Sequence, residues 1–103
     1  MSEAQAATRF AALSDPSRLA ILRALVRAGP EGLPAGRIAA AVGASPSRAS
    51  FHLSTLAKAQ LVASRREARA IVYTIRFDTL GDLLTWLVED CCAGSETLRA
   101  CCR

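Results

Sequence analysis

Residues 35–60 read AGRIAAAVGASPSRASFHLSTLAKAQ, and the punctuation of this stretch decides the fold. A short alanine-rich helix, AGRIAAAV, ends at Gly43, and Ser45-Pro46 opens a longer helix that runs to about Gln60. Serine at an N-cap accepts a hydrogen bond from the free N–H groups of the first turn. Proline at the first helical position has no N–H to leave unpaired. Only Gly43-Ala44 lies between the stop and the new start. Two helices joined so tightly, the second freshly capped, form a helix-turn-helix.

The flanks are consistent with that centre. Residues 3–13 read as a short helix carrying Phe10 and Leu13, and Asp15-Pro16 repeats the cap-then-proline start. The next helix, PSRLAILRALVRAG, places Leu19, Leu22, Leu25 and Val26 on one stripe with Arg23 and Arg27 opposite. It stops at Gly29-Pro30, and a Gly- and Pro-rich loop, GPEGLP, leads on. Beyond the centre, Leu61–Ser64 and Ala70–Ile75 read as two strands, with residues 65–69 (RREAR) as the bend. That is a β-hairpin with a basic tip.

From Phe77 the apolar spacing returns to threes and fours: Leu80, Leu83, Leu84, Leu87, Val88 and Cys91. Asp82, Thr85, Glu89 and Asp90 occupy the other face. The stripe is more apolar than so small a domain needs for its own packing. With the first helix it reads as an interface between two copies. The expected architecture is therefore one domain, residues 1–103, mainly α with a small β-hairpin: a winged helix-turn-helix that forms a homodimer through its first and last helices.

Composition narrows the function. The chain has 103 residues, 51% hydrophobic and 5% aromatic, with room for one modest core. No apolar run approaches the roughly 20 residues that span a bilayer. MSEAQAATRF has neither a basic start nor an apolar stretch, so it does not read as an export signal. The expected location is the cytoplasm, with no membrane partner, and no enzyme site is foreseen. A net charge of +4 favours a polyanionic partner. Its placement strengthens the point, because Arg48, Lys58, Arg65, Arg66, Arg69 and Arg76 sit in the middle while acids gather near the end.

On the helix that opens at Ser45, Ala49, Leu53 and Leu56 share a face and must point into the core. Ser47, Arg48, Phe51, Ser54, Thr55 and Lys58 share the opposite one. Hydroxyls allow close approach to phosphates, cations supply charge, and longer side chains reach base edges. The candidate contacts to double-stranded DNA are Ser45, Ser47, Arg48, Ser50, Phe51, His52, Thr55 and Lys58, joined by Arg65, Arg66 and Arg69 of the hairpin. Exposed charges add little stability, so three arginines on a ribbon suit a wing gripping phosphates. His52 lies at the edge of the buried stripe and serves equally well as a half-buried structural residue.

The stretches LSDPSRLAILRAL and ASPSRASFHLSTLAKAQLVASRREARAIVYTI resemble the ArsR/SmtB family of bacterial winged-helix repressors. The resemblance covers about residues 8–88. It implies a homodimer bound to an operator and released by an inducer, usually a metal or metalloid ion. It implies a recognition helix over 45–60 and a wing over 63–72. Two departures bear on the inducer. Pro34 and Gly36 stand where arsenic sensors of the best-known type carry a Cys-Val-Cys motif. The last helix has no histidine, whereas zinc sensors of the family use Asp and His there. In the wing turn, Ala68 replaces the glycine common among relatives, and a left-handed conformation there costs about 1 kcal/mol.

Four cysteines remain, none before residue 91, as the adjacent pairs Cys91-Cys92 and Cys101-Cys102. Adjacent Cα atoms are about 3.8 Å apart, and an unstrained disulfide prefers roughly 4.4 to 6.8 Å. Each pair is better suited to chelating a larger soft atom. Were the helix unbroken, Cys92 and Cys101 would lie roughly 13 Å apart along it. Gly94-Ser95 supplies a stop and a new cap where the chain can turn back. Some family members hold As(III) or Sb(III) on a CysCys pair of the last helix. That resemblance implies As(III) or Sb(III) as inducer, bound by Cys91, Cys92 and one or both of Cys101 and Cys102. Cd(II) or Pb(II) on four thiolates, or oxidants acting on the same cysteines, are the alternatives. A thiol oxidoreductase calls for Cys-x-x-Cys at a helix start, which this chain does not have. A winged helix that binds only protein is compatible with the fold and predicts no salt-dependent affinity for DNA.

Overall fold

The computed structural model describes residues 1–89. Five helices and a small sheet follow one another as α1 (Glu3–Leu13), α2 (Pro16–Ala28), β1 (Leu33–Pro34), α3 (Ala35–Val42), α4 (Pro46–Lys58), β2 (Val62–Glu67), β3 (Ala70–Ile75) and α5 (Phe77–Val88). The helix starts follow the capping chemistry. Ser2 and Gln5 form a reciprocal capping box on α1. Asp15 accepts from the Arg18 N–H on α2, and Ser45 accepts from the Arg48 N–H on α4.

The turn of the helix-turn-helix is a Schellman motif. Gly43 takes a left-handed φ of 66°. Its N–H donates to the Ala40 carbonyl at 3.3 Å, and the Ala44 N–H donates to Ala39 at 3.0 Å. The end of α4 repeats the device with a less suitable residue. Gln60 sits at φ 64° and donates to Ala57, while Leu61 donates to Leu56, both at 3.0 Å. Leu56 and Leu61 are fully buried, the apolar contact that accompanies this motif.

The core is a single cluster to which every helix contributes. Ile21, Leu25, Ile38, Leu53, Leu56, Leu61 and Leu83 are its largest enclosed side chains. Phe10, Leu13, Leu80 and Trp86 pack against it from α1 and α5. Ala49, Leu53 and Leu56 are the buried face of α4, as the sequence implies.

Four sequence expectations are corrected. On α2 the buried stripe is Ile21, Leu22 and Leu25; Leu19 and Val26 are exposed, since Ile21 rather than Leu19 turns inward. The Gly- and Pro-rich segment is not wholly a loop. A 3-10 turn at Gly29–Glu31 leads into β1, which pairs antiparallel with β3. The sheet thus has three strands in the order β1-β3-β2. Gly32, at φ 71°, makes this pairing feasible, because a Cβ there would strike the Tyr73 carbonyl.

The hairpin is also longer than its sequence suggests. Arg65 and Arg66 lie within β2, paired opposite Val72 and Ile71, and the turn is only Ala68-Arg69. Finally, β2 begins at Val62 rather than Leu61, and α4 ends at Lys58. Ala68 does adopt the left-handed conformation, φ 53°.

Candidate nucleic-acid interface

Charge sets the polarity of the surface. No acidic residue occurs from Gly32 to Arg66, a span holding α3, α4 and most of β2, while Arg37, Arg48, Lys58, Arg65 and Arg66 all fall in it. Arg37, Arg48 and Lys58 are exposed on the two helices, and none has a salt-bridge partner among the described residues.

The sequence-predicted contacts then divide by what they already do. Ser47, Arg48, Ser50, Phe51 and Lys58 project from α4 as exposed side chains. Ser45 is occupied as the N-cap, its Oγ accepting from the Arg48 N–H at 3.2 Å, with the Ser47 hydroxyl 3.3 Å away. Thr55 is half-buried and donates back to the Phe51 carbonyl at 3.2 Å.

His52 belongs to a clip rather than to the free face. Its side chain is 15% exposed. Its Nδ1 lies 3.2 Å from Nη1 of Arg18. A guanidinium only donates, so Nδ1 is the acceptor in this pair, and the Asp15 carboxylate lies 4.0 Å from the same nitrogen. The same Arg18 donates through Nε to the Ala12 carbonyl at 2.5 Å. Asp15 completes the group, its carboxylate accepting from the Arg18 N–H at 3.1 Å. That backbone hydrogen bond holds Asp15 below the usual carboxylate pKa, against partial desolvation and with the charge of Arg18 assisting. At the C-terminal end of α4, Arg9 donates to the Ala59 carbonyl at 3.1 Å. Arginines of α1 and α2 thus hold the exposed helix at its middle and at its C-terminal end.

Arg65 and Arg66 point to opposite faces of the hairpin, because strand side chains alternate. Arg65 shares its face with Glu67 and bonds it at 2.6 Å, and its Nη2 donates to the Glu31 carbonyl at 2.8 Å. It braces the ribbon against the turn before β1. Arg66 and Arg69 are exposed and have no salt bridge among the described residues. Sequence reasoning gave the three arginines one role, and the structure gives them two. It missed Arg9, Arg18 and Arg37. The clips of Arg9 and Arg18 join positions 50 and 34 residues apart, which local patterning does not register. For Arg37, its place on the first helix of the motif was the available signal, since that helix crosses the backbone in such folds.

An exposed capped helix, a helix packed before it and a basic ribbon beside it make the geometry of a winged helix-turn-helix. A helix-turn-helix domain family model matches residues 13–65. The HTH-type transcriptional regulator YceK of Bacillus subtilis is 39% identical over 80 residues, spanning 78% of this chain and 79% of that protein. An ArsR-like transcriptional regulator from a Rhodococcus species superposes with a TM-score of 0.75 at 30% identity, over 94% of this chain and 89% of the other. This chain belongs to the ArsR-type helix-turn-helix transcriptional regulators.

A second structure, the homodimeric winged helix-turn-helix DNA-binding domain Mb0332 from Mycobacterium bovis, superposes at 0.70 with 30% identity, covering 87% and 88% of the two chains. Relatives of this ArsR-type chain are regulators, which sets it among regulators rather than enzymes. Among the described residues of the regulator, no helix is long and apolar enough to cross a membrane, and no group of three or more His, Cys, Asp or Glu could hold a metal ion. Cys91, Cys92, Cys101 and Cys102 lie outside the described residues.

Proposed function

We propose that this chain is a homodimeric transcriptional repressor that binds operator DNA and is released when As(III) or Sb(III) binds its C-terminal thiolates. The observation that carries the DNA half is the acid-free span from Gly32 to Arg66, which puts Arg37, Arg48 and Lys58, without a salt bridge among the described residues, on the helix-turn-helix and Arg66 on the ribbon beside it. The dimer is supported by α5, where Leu84 and Leu87 are 53% and 51% exposed while Leu83 on the same helix is fully buried. The homodimeric Mb0332 domain has the same fold.

The inducer half rests on the donor set. Four thiolates within twelve residues suit a soft, thiophilic ion, and As(III) and Sb(III) favour three sulfurs. Release requires the ion to bind the DNA-free form more tightly than the DNA-bound form.

The test uses the reduced full-length protein and a duplex that it selects from randomised DNA. Cys91→Ser and Cys92→Ser should keep operator affinity and lose release by arsenite, because a serine oxygen is a hard, poor ligand for a soft ion. Different responses of Cys101→Ser and Cys102→Ser would support a three-sulfur site. Equal, complete loss in both would favour four sulfurs and Cd(II) or Pb(II). If all four single variants still release DNA on arsenite addition, the cysteines are not the sensor.

A further inference from the structure

Phe51 is the most exposed large hydrophobic side chain among the described residues, at 66%. Its neighbours one turn away on α4 are Ser47, Arg48, Ser54 and Thr55, so the ring rises from a face of short hydroxyls and one cation. This is not a contiguous apolar patch of the kind that marks a protein-docking surface. Nor does the ring hang loose. Its edge-to-face contact with His52 has centroids 5.7 Å apart and planes at 64°, and His52 is itself fixed by Arg18. The ring is therefore braced outward.

We infer that Phe51 is a specificity residue that reads a thymine in each operator half-site through the C5-methyl group. The inference rests on the DNA-binding reading proposed above. Phenylalanine has no donor or acceptor, so it cannot answer the hydrogen-bonding pattern of any base edge. In the major groove the one apolar feature that distinguishes a base pair is the thymine methyl. The serines and Arg48 around the ring supply the polar contacts that hold the helix over that base. Charge complementarity favours the same occupant, because no acid stands on α3 or α4 to repel a phosphate backbone.

The experiment starts from a randomised duplex pool selected by the full-length protein and, separately, by Phe51→Ala and Phe51→Leu. Because the side chain is largely exposed, both variants should melt close to the parent. The parent should enrich thymine at one symmetric position per half-site, Phe51→Leu should retain that preference, and Phe51→Ala should lose it while keeping the rest of the motif. Replacing that thymine with deoxyuridine removes only the methyl. Parent affinity should then fall about fourfold per half-site, the worth of one buried methyl, and Phe51→Ala should be indifferent to the swap. A parent indifferent to deoxyuridine at every position would overturn the inference, as would an alanine variant that loses as much as the parent. Salt-dependent binding with no enriched sequence would also remove the role of Phe51 but leave DNA binding intact. Failure to retain any duplex would remove both.

Discussion

Arg65 and Arg66 are adjacent, equally charged and equally basic to the eye, yet the structure predicts opposite outcomes for their removal. Arg66→Ala deletes an exposed cation with no carboxylate partner among the described residues. If it meets one phosphate per protomer, a dimer loses two contacts. Each phosphate contact contributes about 0.9 to the slope of log affinity against log salt, so the slope should flatten by about 1.8. At 0.1 M salt the same term corresponds to a loss of about sixtyfold in affinity. Arg65 is engaged twice, with Glu67 at 2.6 Å and with the Glu31 carbonyl at 2.8 Å, on the other face of the ribbon. Leaving those partners costs on the order of what an exposed pair returns, 0 to 1 kcal/mol, so little is left for a phosphate. Arg65→Ala should change the slope by much less than Arg66→Ala and should loosen the ribbon instead. Fluorescence anisotropy on the selected duplex between 50 and about 300 mM salt reads both quantities. Equal flattening by the two variants, or none by Arg66→Ala, would refute the division of labour.

Ala68→Gly should stabilise the protein. The left-handed φ of 53° costs an alanine roughly 1 to 2 kcal/mol, and glycine returns about 0.5 to 1 of that as unfolded-chain entropy. The net gain is about 0 to 1.5 kcal/mol, a rise of up to several degrees in Tm by calorimetry; a fall would contradict the turn geometry. Asp15→Asn should reveal a pH-dependent share of stability. Because folding lowers the Asp15 pKa, its contribution is present above the ordinary carboxylate range and disappears as pH falls through the lowered value. The stability gap between parent and variant should therefore close on acidification, and a gap independent of pH would show that the charge is idle. Replacing Leu84 and Leu87 together with Asp should yield monomers or unfolded chains in sedimentation, because charge buried against an apolar partner face is costly. A folded dimer would exclude that face of α5 as the interface.

The legible parts of this fold are those fixed by local chemistry. Asp15-Pro16, Gly43 and Ser45-Pro46 set helix boundaries through hydrogen bonds that span three to five residues, and the structure reproduces each boundary. The wing turn was legible only in part: the resemblance marks Ala68 as a left-handed position, which it is, but the bend reads as residues 65–69, three of which are strand. What escaped was non-local. β1 has two residues, too few for a period, and it exists because Gly32 lets the chain approach Tyr73, about forty positions away. On α2 the apolar residues cover too much of the circumference for spacing to choose between Leu19 and Ile21. Packing of α2 into the shared core made the choice.

The candidate interface follows the same division. That α4 presents Ser47, Arg48, Phe51 and Lys58 is a consequence of helical period and was readable. That His52 faces Arg18, and that Arg65 serves the ribbon rather than its surface, depends on partners 34 residues distant. These long-range contacts have a mechanical consequence. α4 is tied to the end of α1 and the start of α2 by Arg18, and to α1 again by Arg9. α1 in turn packs with α5, the helix whose exposed leucines are the proposed dimer surface. The two arginine clips therefore join α1 and α2 to the middle and to the C-terminal end of the exposed helix α4, so the proposed dimer face and the candidate DNA face are linked through α1.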